Sequence, residues 1–157
     1  MLKIRINRII FEKNIYDCLE LTRNIVYMEN YITETFGKNS SSINYMLSTP
    51  NFNICFHNKW ISVKPSLTSI NHFIQSVNNI SRISNKKCYG IFISNMPLTS
   101  TCLLALKNEN ERNENLKLIF IQNSNQDIII KELLLYLYSI NIYLYEEDNS
   151  CIMLDYY

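Results

Sequence analysis

The chain has 157 residues, of which 47% are hydrophobic and 18% charged. That balance supports a packed core and argues against a disordered chain. The net charge of +1 excludes a uniformly polybasic or polyacidic protein. The charge is uneven, however: residues 1–90 carry eleven Lys/Arg against five Asp/Glu, and residues 91–157 carry four against nine. With glycine only at positions 37 and 90, neither a Walker-type phosphate loop nor a dinucleotide fingerprint can be built.

In chain order, Leu2, Ile4 and Ile6 alternate with Lys3, Arg5 and Asn7, which predicts a short strand or extended arm. Ile15, Cys18, Leu19, Ile25, Val26 and Met28 predict one long helix over 14–34, ended by Gly37 and a polar loop at 38–42. Strands are expected at 43–47 and 52–56. His57-Asn58-Lys59 reads as a turn into a further strand at 60–63, stopped by Pro65. Ile70, Phe73, Ile74, Val77 and Ile80 follow the helical period and predict a helix over 68–83. The apolar run 89–94 predicts a strand buried on both faces.

Pro97 and Thr99 open a helix to about Asn110, Leu116–Ile121 is a second central strand, and 128–140 is a helix apolar nearly all round. Residues 141–145 and 151–157, flanking Glu146-Glu147-Asp148, predict a C-terminal β-hairpin. The order predicts an α/β fold, a mixed central β-sheet flanked by helices, in a single domain over 1–157. Ile74, Ile91, Ile93, Leu118 and Phe120 are the expected deep core.

No stretch is apolar enough to span a membrane, and the opening MLKIRINRIIFEKN lacks the continuous apolar centre of a signal peptide. Cys18, Cys55, Cys88, Cys102 and Cys151 form no CxxC pair, so reduced thiols are expected, with neither a zinc ribbon nor a redox motif. An intracellular place is expected: cytoplasm, nucleus or virion. Cys55, His57 and His72 are too few for a zinc site, which normally takes four ligands.

Three segments carry a likeness to a known family: FNICFHNKWISVKPSLTSINHFIQSV, KKCYGIFISNMPLTSTCLLAL and LKLIFIQN. Their order and spacing over roughly residues 12–140 resemble the restriction-endonuclease-like, PD-(D/E)XK, superfamily, in particular its methylated-DNA-restriction branch. The resemblance implies a metal-binding Asp where this chain has Asn53. It implies Glu/Gln and Lys where the chain has Ser62 and Lys64, and an additional acidic position on the first helix at Glu20.

Such a site needs anionic oxygens to hold Mg²⁺ and a Lys beside the scissile phosphate. Asn53 offers a neutral carbonyl and Ser62 a neutral hydroxyl, so only Lys64 matches outright. The expectation is a nuclease-fold module with a degenerate site, without metal or other cofactor, retained to bind DNA, RNA or a protein complex. Lys59, Lys64, Lys86 and Lys87 in the basic half are the expected nucleic-acid contacts.

Two alternatives stand beside it. One is an active Mg²⁺-dependent nuclease with displaced carboxylates, using Glu20. The other is a non-enzymatic structural subunit of a viral or organellar assembly, with a protein complex or a homo-oligomer as the expected partner, in line with the abundant C-terminal tyrosines.

Overall fold

The computed structural model describes residues 2–145. Five helices, α1 (Leu2–Glu20), α2 (Glu29–Phe36), α3 (Leu67–Ser84), α4 (Ser100–Arg112) and α5 (Gln126–Ser139), surround one five-stranded sheet. Its strands are β1 (Val26–Met28), β2 (Tyr45–Ser48), β3 (Phe52–Lys59), β4 (Lys87–Ser94) and β5 (Leu116–Gln122), in spatial order β1-β2-β3-β4-β5. β1, β2 and β3 form an antiparallel meander, and β3, β4 and β5 run parallel. The expected mixed α/β architecture is what the chain adopts. No described helix is long and apolar enough to cross a membrane.

Side chains alternate across a strand, so the sheet divides the core in two. Cys55, Cys88, Phe92, Leu116 and Leu118 face α2, α3 and α4, meeting Ile32, Ile70, Phe73, Val77 and Leu106. Phe56, Ile91, Ile93 and Ile121 face α1 and α5, meeting Phe11, Ile15, Leu19, Ile129, Leu133 and Leu137. β4 is apolar on both faces because both faces are covered, whereas β5, expected as a second central strand, forms the edge of the sheet because no strand follows it in the described residues. Of the expected deep core, Ile91 and Ile93 are fully buried and Leu118 nearly so. Phe120 and Ile74 are only half-buried, since Phe120 lies on the edge strand and Ile74 flanks the buried stripe of its helix.

Local chemistry sets the helix ends. Ser66 Oγ accepts the Ser69 N–H at 3.1 Å to start α3, Thr99 Oγ1 accepts the Cys102 N–H at 3.3 Å to start α4, and Asn125 Oδ1 accepts from Asp127 and Ile128 to start α5. Asn85 closes α3 in the left-handed conformation, φ 54°. All three caps follow the carboxyl ends of parallel strands, so the last turns of α3 and α4 return to the amino edge.

Gly90 is needed for space rather than for its backbone angles. A Cβ there would stand 2.6 Å from Leu118 Cδ2 and 3.0 Å from both Phe73 Cζ and Val77 Cγ2. Leu118 can rotate away, but the two α3 side chains on the other side cannot all yield at once. Gly90→Ala is expected to lower stability by about 1–3 kcal/mol. Chemical denaturation showing a change below about 0.5 kcal/mol would overturn that packing account.

Several local expectations are corrected. Residues 2–7 open α1 rather than forming an arm: the buried stripe Phe11, Ile15 and Leu19, spaced by four, extends a helix through the alternating segment. The expected helix over 14–34 is broken. Thr22 Oγ1 donates back to the Leu19 carbonyl at 2.7 Å and Arg23 takes φ 61°, after which Val26–Met28 pair with β2 and α2 starts anew.

His57-Asn58-Lys59 is not a turn; it continues β3, in parallel register with Phe92, Ile93 and Ser94. Residues 60–63 form no strand, because the Asn95 side chain takes both the N–H and the carbonyl of Ile61, each at 2.8 Å. The first arm of the expected hairpin, 141–145, is a turn with a single bridge, in which the Tyr145 N–H donates to the Leu21 carbonyl at 2.9 Å. The second arm, 151–157, lies outside the described residues.

Candidate functional site

The residues expected to form a catalytic set are spread over the molecule. Asn53 lies at the amino end of β3, 2% exposed, beneath the last turn of α3, where its Nδ2 donates to Ser84 Oγ at 3.0 Å. Its Oδ1 has no partner. Lys59 ends the same strand six residues later, about 20 Å away at roughly 3.3 Å per residue.

Ser62 and Lys64 lie beyond that end, exposed, between two anchors at the carboxyl edge. These are Ile61, clasped by Asn95, and Pro65, whose carbonyl accepts from Cys102 Sγ at 3.8 Å. Asn53 therefore does not meet Ser62 or Lys64. Glu20 is exposed at the end of α1, on the opposite face of the sheet from Asn53, close enough to Tyr16 for its carboxylate to raise the pKa of that phenol. Among the described residues no group of three or more His, Cys, Asp or Glu is placed to hold a metal ion.

Cys55 and His57 share a face of β3 but serve its packing. The Cys55 thiol is kept protonated by its contact with Cys88 and by burial. His57 stacks on Phe92, ring centroids 4.8 Å apart, and its Nδ1–H donates to the Ser42 carbonyl, which places the proton on Nδ1. Nε2 is buried without a partner, and burial depresses the imidazole pKa to about 4. A ring so placed stays neutral near pH 7. His72 Nε2 lies 3.2 Å from Ser41 Oγ, apart from that stack. Cys18, Cys55, Cys88 and Cys102 are free thiols.

The four lysines expected to bind nucleic acid also divide. Lys59 is partly desolvated at the carboxyl edge, and burial, then the nearby Arg8, lowers its pKa. Lys64 is exposed at the same edge. Lys86 and Lys87 sit at the amino edge and line a cavity of about 360 Å³. They share it with Arg82 from the last turn of α3 and with the amides of Asn78, Asn113 and Asn115. Among the described residues, none that lines it is acidic.

Each cation there is held differently. The Arg82 guanidinium spends one N–H on Asn79 Oδ1 at 2.8 Å and keeps its other donors. Lys86 Nζ bonds the Thr49 carbonyl at 2.9 Å, tying the β2–β3 turn to the cavity wall. Lys87 is exposed, with its Nζ 5.4 Å from the centre of the Tyr89 ring. The carboxyl ends of α3 and α4 carry partial negative charge at this edge, worth about 0.3–1 kcal/mol to a nearby cation. Part of the positive charge therefore answers the helices, and the exposed Lys87 and the free donors of Arg82 are left for an anion.

Lys86 and Lys87 were expected as nucleic-acid contacts; Arg82 and the asparagines that share their cavity were not singled out in the sequence. Arg82 stands four residues before Lys86 across a helix end, a spacing that puts both near the helix C-terminus. The asparagines come from α3 and from the α4–β5 connection, 35 to 37 residues apart, and no local pattern joins them.

Comparison with protein-family models, with curated proteins and with solved structures finds no match for the chain.

Proposed function

We propose that the chain is a nucleic-acid-binding module on a restriction-endonuclease-like scaffold, one that binds phosphates at the amino edge of its sheet and does not cleave them. The observation that carries this reading is the cavity in which Arg82, Lys86 and Lys87 converge with amide donors and no acid. A phosphodiester asks for that chemistry: charge-assisted donors from several directions, without a carboxylate to repel it.

The non-catalytic half rests on the separation of Asn53 from Ser62 and Lys64 by the length of β3, and on the neutral side chains at the first two positions. A hydrolytic centre needs a metal or a comparable charge at the phosphate undergoing attack.

Fluorescence anisotropy against labelled oligonucleotides, repeated over a salt series, tests the binding half. Affinity should fall steeply with salt, and Arg82→Gln and Lys87→Gln should each reduce the slope of log K against log salt by about 1 unit. Lys59→Gln and Lys64→Gln should leave it nearly unchanged. Undetectable binding at low ionic strength, or loss confined to the Lys59 and Lys64 variants, would remove this interface. Incubation with plasmid and single-stranded substrates in Mg²⁺ or Mn²⁺ tests the other half, and cleavage that vanishes in Lys64→Ala would make the protein an active nuclease.

A further inference from the structure

On the far side of the β2–β3 turn from the basic cavity lies a second groove of about 420 Å³, walled by Thr49, Asn51, Phe52, Asn141, Tyr143 and Tyr145. Its character differs: among the described residues its lining offers aromatic rings and side-chain amides and no carboxylate. Tyr143 is half-buried, packs edge-on against Tyr138 at 5.2 Å and donates its hydroxyl hydrogen to Asn141 Oδ1 at 3.0 Å, so the ring is held in place. Tyr145 is half-buried, with the Arg23 guanidinium 5.0 Å from its ring centre.

The two grooves are joined by a chain of contacts. Lys86 lines the first and bonds the carbonyl of Thr49, which lines the second. Lys87 lines the first, and its ammonium sits over Tyr89. The Tyr89 ring packs edge-on against Phe52 at 5.0 Å, and Phe52 lines the second groove. Lys87 and Phe52 are register partners on neighbouring strands, so their backbones lie about 4.8 Å apart.

We infer that these two grooves form one track for a single strand of nucleic acid, with a backbone phosphate at Arg82, Lys86 and Lys87 and an unpaired base against Tyr143 and Phe52. The inference rests on the proposed nucleic-acid reading and adds the form of the ligand. A positively charged groove followed by fixed aromatic rings is the arrangement that single strands use, because every unstacked base has a face to offer. A duplex keeps its bases stacked and paired, so only its phosphates would meet this surface. Asn51 and Asn141 line the same groove and carry amides able to bond the edge of a base.

The test uses the whole protein and three labelled twelve-mers: oligo-dT, oligo-rU and a mixed-sequence DNA duplex. Each single strand is also made with one central 2-aminopurine, whose fluorescence is quenched on stacking. The track predicts tighter binding of the single strands than of the duplex, with 2-aminopurine quenched on binding. Tyr143→Ala should weaken single-strand binding about tenfold and abolish the quenching, Tyr143→Phe should retain both, and duplex binding should be the same in all three proteins.

Phe52→Leu, which keeps apolar volume in the core while removing the ring, should weaken single-strand binding in the same direction. Comparison of oligo-dT with oligo-rU tells which sugar is accepted. Equal binding of single and double strands with no effect at Tyr143 would overturn the track while leaving the phosphate interface standing. Absence of binding to all three oligonucleotides would remove the nucleic-acid reading itself.

Discussion

Replacing Phe92 with alanine is expected to remove about 3–5 kcal/mol of folding stability, the largest loss of any single truncation proposed for this protein. Phe92 is fully buried at the middle of the central strand β4. Its ring stacks on His57 at 4.8 Å, meets Phe73 edge-on at 5.3 Å and lies 6.0 Å from Phe120. Those partners come from β3, α3 and β5, so the ring joins three elements that no local contact holds together.

Alanine would lose the burial of the ring and leave a cavity that a close-packed sheet cannot collapse to fill. Aromatic pairs add about 0.5–1.5 kcal/mol beyond burial. Phe120→Ala, at a half-buried edge position, should cost distinctly less. Urea denaturation of both variants decides the matter, and a Phe92→Ala loss smaller than about 1 kcal/mol, or one equal to that of Phe120→Ala, would contradict this ordering.

Acid is expected to destabilise the fold by a second, separable route through His57. Its folded-state pKa is about 4, below the ordinary 6.5, because burial disfavours the imidazolium; nearby Lys59 and His72 push the same way, against the Ser42 carbonyl that accepts from Nδ1. The folded ring therefore stays neutral while the unfolded ring takes up a proton. The contribution is fully present above about pH 6.5 and is lost as pH falls from there toward 4. The slope approaches about 1.4 kcal/mol per pH unit, for a total of roughly 3 kcal/mol.

His57→Phe removes the ionisation and keeps a ring on Phe92, at the cost of the bond to Ser42. Carboxylates also titrate near the lower end of this range, so the informative quantity is the difference between native protein and variant. Measured by urea at pH 7.5, 6.5, 5.5 and 4.5, that difference should shift by roughly 3 kcal/mol in favour of the variant as pH falls. Parallel stability curves would show that His57 is not buried as described. Opening the stack with Phe92→Ala should let water reach Nε2 and shrink the pH dependence, so the two predictions check one another.

By itself the sequence determined the elements whose signal is local. Ile70, Phe73, Val77 and Ile80 repeat at the helical period with a Ser cap before them, and α3 forms where they stand. The apolar runs of β4 and β5 announce strands, though β5 is the sheet's edge rather than a central strand, and Thr99 marks the start of α4. From such signals the mixed sheet between helices was legible, as was the place of Lys86 and Lys87 on a surface. Tertiary structure decided whatever depended on a partner remote in the chain.

Residues 2–7 alternate like a strand but join a helix, because the stripe from Phe11 to Leu19 has α5 and the sheet to pack against. His57-Asn58-Lys59 has turn-like composition and is strand, because β4 offers it a ladder. The segment after it looks like a strand and is not, because the Asn95 amide occupies the groups a neighbouring strand would need.

The candidate site follows the same division. Asn53, Ser62 and Lys64 are close in sequence, yet the six further residues of β3 carry the chain to the opposite edge of the sheet. Arg82, Lys87 and Asn115 are spread over 34 residues, and they line one cavity because the parallel strands bring the last turns of α3 and α4 back to the same edge.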